Sequence, residues 1–167
     1  APNFETQKYL ELKKRKAAEV GIVLRVVELP ETVSTEEAIA CVLAVAPQVD
    51  GVVVQLPFPA QVDREAVLAA VPARKDPDGF SYGSSPEACL PPVTGAICAI
   101  TEVYDVTFAD KNIVVLGQGR LVGTPIVRYL QSIGVPFTVL TEADTDPVAA
   151  LKAADVIITG IGKPHFV

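Results

Sequence analysis

The chain has 167 residues, half of them apolar and a fifth charged, with a net charge of −6. This is the composition of one folded domain, or of two small ones, and not of a disordered segment. The acidic balance argues against a nucleic-acid surface, which needs a basic stripe, and no apolar run approaches the roughly 20 residues that cross a bilayer.

Three cysteines, Cys41, Cys89 and Cys98, form no Cys-x-x-Cys pair and read as buried free thiols of a reducing cytoplasm. A lone histidine offers no metal cluster. The chain contains no methionine and stops just after a strand-like run, so sequence is expected to be missing at both ends.

The first predicted element is a helix over 5–20, with sparse apolar positions, a basic run at 13–16 and Gly21 as its C-cap. Residues 22–28 are rich in β-branched side chains and predict a strand. Ser34 and Glu37 form a capping box before a helix over 38–45. Residues 51–56 are a near-continuous apolar run, as in a buried parallel strand. Asp63 caps a short helix to about 71, and a turn-rich segment follows over 72–92. A helix over 94–104 then carries Ile97, Ile100 and Val103 on one face. Strands over 112–116, 137–141 and 155–159 alternate with helices over 124–133 and 147–153. Strand and helix alternating in both halves predict an α/β fold with parallel sheets, and the boundary between the halves falls in the helix over 94–104 or just after it.

The loop Gly117-Gln118-Gly119-Arg120-Leu121-Val122-Gly123 follows a predicted strand and opens a predicted helix. In that setting Gly117 permits the tight turn, Gly119 lets a pyrophosphate approach the backbone, and Gly123 lets helix and strand pack closely. The helix N-terminus favours the anion. A glycine-bearing turn that binds nothing is the plainer alternative. Glu142, just past the second strand of this half, is placed to accept from the ribose 2′-OH of NAD and to repel the 2′-phosphate of NADP, or else is a solvated loop carboxylate.

In the first half, Tyr9 and Lys13 stand four residues apart on one helical face. Gln55 is the one polar residue near the C-terminal end of an apolar run, where α/β sheets bind ligands. Asp76 and Asp78 lie in a Pro-Asp-Gly turn, and turn formation alone accounts for either.

Taken together and in this order, these residues resemble a family. Tyr9-x-x-x-Lys13 leads to Val20-Gly21-Ile22, then to Gln55-Leu-Pro-Phe-Pro59, then to Lys75-Asp-Pro-Asp-Gly-Phe80, and then to Gly117-x-Gly-x-x-Val-Gly-x-Pro125. The pattern is similar to bifunctional methylenetetrahydrofolate dehydrogenase/methenyltetrahydrofolate cyclohydrolase over nearly the whole chain. The resemblance implies two α/β domains, 1–100 for folate and catalysis and 101–167 a Rossmann-like parallel sheet for NAD(P), with the site in the cleft between them. It implies oxidation of 5,10-methylenetetrahydrofolate, then hydrolysis of the methenyl product to 10-formyltetrahydrofolate, in a cytoplasmic homodimer serving one-carbon metabolism and purine biosynthesis.

By the same resemblance Lys13 is the catalytic lysine, Gln55 its hydrogen-bond partner, Tyr9 the ring against the folate, and Asp78 the pterin-binding aspartate. The residues 117–123 with Glu142 would bind the dinucleotide. The family usually has Arg-Ser where this chain has Gln118-Gly119, and often His-Ser where it has Glu142-Ala143. Both departures remove groups suited to a 2′-phosphate and shift the expectation from NADP towards NAD. The family's Pro-Cys-Thr-Pro segment stands here as Pro91-Pro92-Val93-Thr94. Two other readings are another two-domain dehydrogenase, of the shikimate-dehydrogenase kind, and a non-catalytic dinucleotide-binding fragment.

Overall fold

The structure, a computed structural model, describes residues 4–141, 144 and 147–161, without the side chains of 4–6. The first helix, α1 (Phe4–Glu19), is charged on most faces and largely exposed. It ends as Gly21 predicts. With Gly21 at φ +75°, Ile22 N–H donates to Ala17 O at 2.8 Å and Gly21 N–H to Ala18 O at 3.3 Å, the paired bonds of a Schellman stop.

The capping box opens α2 (Thr35–Val45): Glu37 N–H donates to Ser34 Oγ at 3.2 Å, and Ser34 N–H to Glu37 Oε2 at 2.8 Å. Asp63 caps α3 (Arg64–Ala69), accepting from the Glu65 and Ala66 amides at 2.9 and 3.2 Å. These two helices close the first core, in which Val33, Ala38, Val42, Val62, Val67 and Val71 are buried, with Val52, Val54 and Phe58 packed against them.

The strands expected over 22–28 and 51–56 are not formed among the described residues. A strand needs a hydrogen-bonded neighbour as well as β-branched side chains. Among the described residues no ladder bond reaches 22–28, and its apolar row is open, Val23 being 95 % exposed. Over 51–56 the ties are of another kind: Val52 N–H donates to Lys75 O at 2.8 Å, and Val52 and Val54 bury by packing. The cysteine expectation also changes. All three are free, but Cys89 is exposed in the turn-rich segment and Cys41 and Cys98 are half-buried.

The second half follows its pattern. Helix α4 (Pro92–Val103) precedes β1 (Ile113–Leu116), α5 (Gly123–Ser132), β2 (Phe137–Leu140), α6 (Pro147–Ala153) and β3 (Val156–Thr159). The sheet is parallel in the order β2-β1-β3, with Ile113 level with Phe137 on one side and Val156 on the other. The central strand is buried along its whole length. On one face, Ile113 and Val115 pack with Ile126 and Leu130 of α5, and Ile97 of α4 joins them. On the other, Val114, Leu116 and Leu140 meet Ala150 and Leu151 of α6. The result is a three-layer α/β/α unit.

Of the apolar face expected on α4, only Ile97 packs into that core, while Ile100 and Val103 are exposed. At about 100° per residue, each three-residue step drifts by roughly 60°, which carries Val103 well off the contact line. Among the described residues no helix is long and apolar enough to cross a membrane.

Candidate active site

Of the four polar residues of the first half, Tyr9, Lys13 and Gln55 are in contact, and Asp78 lies within electrostatic reach of Lys13. Lys13 Nζ donates to Gln55 Oε1 at 3.1 Å, a tie between α1 and the end of the apolar run over 51–56. Gln55 Nε2 in turn donates to Leu56 O at 2.8 Å, which fixes the amide so that its oxygen faces the lysine. One helical turn back, the Tyr9 ring lies 4.7 Å from the same ammonium, within cation–π range, with half of its surface open. Burial pushes the Asp78 carboxyl above the usual aspartate range; the Lys13 charge pulls it down and the Asp76 charge pushes it up.

The turn holding Asp78 is built by its neighbours. Asp76 is buried and accepts from the Gly79 and Ser81 amides, both at 3.0 Å, so its role is structural. Lys75 Nζ reaches back to the carbonyls of Ala46 and Val49 at 2.5 and 2.7 Å, tying the turn to the end of α2. Gly79 has φ +68°, and a Cβ there would stand 2.9 Å from Cys89 O and from the Pro91 backbone. A shallow pocket of about 350 Å³ follows Gln55, lined from Leu56 to Glu65 and including Phe58 and Val62.

The glycine loop supplies the second part. Gly117 turns at φ +80° and its amide donates to Leu140 O at 2.8 Å, while Gly160 N–H donates to Leu116 O at 3.1 Å, so the sheet runs to the loop's base. A Cβ on Gly123 would fall 1.9 Å from Gly117 O. A Cβ on Gly119 would meet nothing within 4 Å. The two glycines thus differ in kind: one is required by the protein's own packing, and the other leaves room outside it.

Thr124 closes the loop from α5, its amide to Gly119 O at 3.0 Å and its hydroxyl to Gln118 O at 2.9 Å. Gln118 and Leu121 are exposed, and Val122 packs against the second core. Arg120 turns away from the loop to pair with Glu65 and to lie over the Phe80 ring at 5.6 Å. Glu142 lies outside the described residues. Among the described residues, no group of acidic, histidine or cysteine side chains could hold a metal ion.

Glu65, Phe80 and Arg128, whose guanidinium donates to Tyr82 O, bridge the halves and were not singled out from the sequence. No local pattern marks them, because their partners are distant in the chain.

A polar cluster on one lobe and a glycine loop on a parallel α/β/α lobe define a two-domain, dinucleotide-binding class of protein. Residues 2–78 match the model of the tetrahydrofolate dehydrogenase/cyclohydrolase catalytic domain, and residues 91–167 match the model of the same family's NAD(P)-binding domain. The chain belongs to the tetrahydrofolate dehydrogenase/cyclohydrolase family.

It is similar to the bifunctional protein FolD of Enterococcus faecalis, at 33 % identity over 99 % of this chain and 62 % of that protein. The FolD protein of Staphylococcus aureus is 32 % identical over 97 % of this chain and 59 % of its own length. Among solved structures, the bifunctional FolD dehydrogenase/cyclohydrolase of Campylobacter jejuni aligns with a TM-score of 0.89 at 26 % identity, over 97 % of this chain and 61 % of that one. The Trypanosoma brucei enzyme, complexed with NADP cofactor and an inhibitor, aligns at 0.82 and 27 %, over 97 % and 59 %. The chain spans about six-tenths of the length of these relatives.

Proposed function

We propose that the chain serves two consecutive steps on one folate: oxidation of 5,10-methylenetetrahydrofolate to the methenyl compound with NAD(P), and hydrolysis of that compound to 10-formyltetrahydrofolate. The observation that carries this reading is the Lys13–Gln55 hydrogen bond of 3.1 Å, formed beside the Tyr9 ring. A neutral amide orients the amine without adding the opposite charge that would lock it as an ion pair. Lys13 then handles the protons of the hydrolytic step: water adds to the methenyl carbon and loses one proton, and as the bond from that carbon to N5 breaks the remaining hydroxyl proton leaves to give the formyl C=O while N5 gains one, for a net release of one proton. Tyr9 packs its open ring face on the folate, and Asp78 accepts N–H bonds from the pterin edge.

The residues around the loop fit a dinucleotide, since Gly119 opens outward and Gly123 lets the helix start against the strand end. Gly117, Gln118, Gly119, Arg120, Leu121, Val122 and Gly123 would hold NAD(P), which when bound takes up the substrate's hydride. The chain's own part in that step is positioning. Within this reading NAD is preferred over NADP, because Gln118 and Glu142 offer no cation to a 2′-phosphate; a strong NADP preference in kcat/KM would contradict it. The division into a folate lobe, 1–100, and a dinucleotide lobe, 101–167, is supported by the two separate cores, with α4 at the join. A cytoplasmic homodimer that feeds purine biosynthesis belongs to the same reading and rests on the family resemblance.

Reductive methylation of surface amines tests the cleft directly. A folate analogue is expected to slow modification of Lys13 and to leave Lys14 and Lys16 unaffected. Equal rates with and without the analogue would remove Lys13 from the site.

A further inference from the structure

One ion pair joins the glycine loop to the pocket that follows Gln55. Arg120 is the only cation of residues 117–123. Its Nη2 pairs with Glu65 Oε1, and its guanidinium lies over Phe80, the residue that closes the turn holding Asp78. Glu65 sits in the first turn of α3 and lines the pocket that follows Gln55. Arg120 therefore ties α3 and the turn holding Asp78 to the glycine loop.

We propose that Glu65 is a positioning residue that competes with the phosphates of the dinucleotide for Arg120, so that cofactor binding and the pocket rim are coupled through one guanidinium. The proposal rests on the reading of 117–123 as a dinucleotide site. Two physical effects drive the competition. A carboxylate on the guanidinium takes up a donor that a phosphate oxygen would otherwise use. The carboxylate is also a like charge held beside the incoming anion. Release leaves no stranded charge, because Arg64 Nε already contacts Glu65 Oε1 at 3.0 Å and remains its partner. A Cβ on Gly119 would meet nothing within 4 Å, so the backbone next to Arg120 is open.

Removing the competitor predicts tighter cofactor binding. Calorimetric titration of NAD and NADP into the wild type, Glu65→Gln, Arg120→Gln and the double variant reads this. Glu65→Gln is expected to lower the Kd about two- to fivefold at low salt, the scale of an exposed ion pair, with the gain shrinking in high salt. Arg120→Gln is expected to raise the Kd, and in that background Glu65→Gln should give little further change.

A second readout separates competition from a purely structural role. The Glu65 carboxyl, followed by 13C NMR, should titrate low in the free protein, move up when dinucleotide saturates the loop, and sit up already in Arg120→Gln. An unchanged Kd in Glu65→Gln, or the same gain with and without Arg120, overturns the proposal while leaving the dinucleotide reading intact. A wild type that binds neither dinucleotide overturns both.

Discussion

Gly123 is where the account can be broken most simply. A Cβ at this position would sit 1.9 Å from Gly117 O and 2.8 Å from Gln118 Cα, against a limit of 3.0 Å that real Cβ atoms essentially never pass. Gly123→Ala must therefore open the gap by more than 1 Å, and the atoms that must move are backbone, not the end of a flexible side chain. Overpacking of this kind costs about 1–3 kcal/mol, and backbone displacement puts the value at the upper end. The displaced atoms are those that shape the phosphate loop, so dinucleotide affinity should fall by more than tenfold.

Gly119→Ala is the matched control. Its Cβ meets nothing within 4 Å, so stability should hold or rise by about 0.4–1 kcal/mol through the unfolded chain. Its affinity should still fall, because the methyl occupies the space left for the ligand. Urea unfolding and dinucleotide titration of both variants provide the assay. A Gly123→Ala protein with wild-type stability and affinity would refute the packing argument, and a Gly119→Ala protein with wild-type affinity would refute the placement of the anion.

Three further outcomes follow from individual side chains. Asp78 has its carboxyl pKa raised by burial, so its ionised form destabilises the fold: the group's favourable share is whole below about 3.9, the unfolded value, and is lost as pH rises through the higher folded value. Asp78→Asn should therefore gain a little stability near neutral pH, under about 1 kcal/mol after solvent screening, gain nothing in acid, and lose folate affinity; urea midpoints from pH 3 to 7 check the sign. Thr94 is fully buried and its hydroxyl has no hydrogen-bond partner among the described residues. Thr94→Val should be neutral or stabilising by about 1 kcal/mol in thermal unfolding, since it removes a desolvated polar group at constant shape. Ser34→Ala removes the Glu37 amide's acceptor and should cost about 1 kcal/mol, read from the denaturation midpoint.

The parts of the fold that were legible in the sequence are those whose cause is local. The Ser34–Glu37 box, the Asp63 cap, the Gly21 stop and the Gly117–Gly123 loop each depend on residues within one or two turns, and each forms where the pattern puts it. Of the second-half strands, β1 was legible because a buried parallel strand reads as an unbroken apolar run, and the half-open β2 and β3 because their side chains are largely β-branched or aromatic. The expected strands over 22–28 and 51–56 show the limit. Side-chain preference describes a surface that fits a sheet, and only a paired neighbour makes a strand.

The site divides in the same way. Tyr9 and Lys13 share a face by helical spacing, but Gln55 and Asp78 reach them across tens of residues, and only the family resemblance placed the four together before the fold did. Arg120 was read as a loop residue from its position, whereas its side chain belongs equally to Glu65 and Phe80. Lys75 tying the carbonyls of Ala46 and Val49 had no local signal, because a lysine in a turn looks solvated until its partners are known.

The measurement that bears most directly on the central claim is a pair of rates in one variant. In Lys13→Ala, hydrolysis of 5,10-methenyltetrahydrofolate, followed by its absorbance, should fall by at least a hundredfold, the scale of positioned acid–base catalysis. In the same protein, dinucleotide binding should be unchanged, since the glycine loop is built by other residues. A Lys13→Ala enzyme that hydrolyses the methenyl substrate at the wild-type rate would contradict the account.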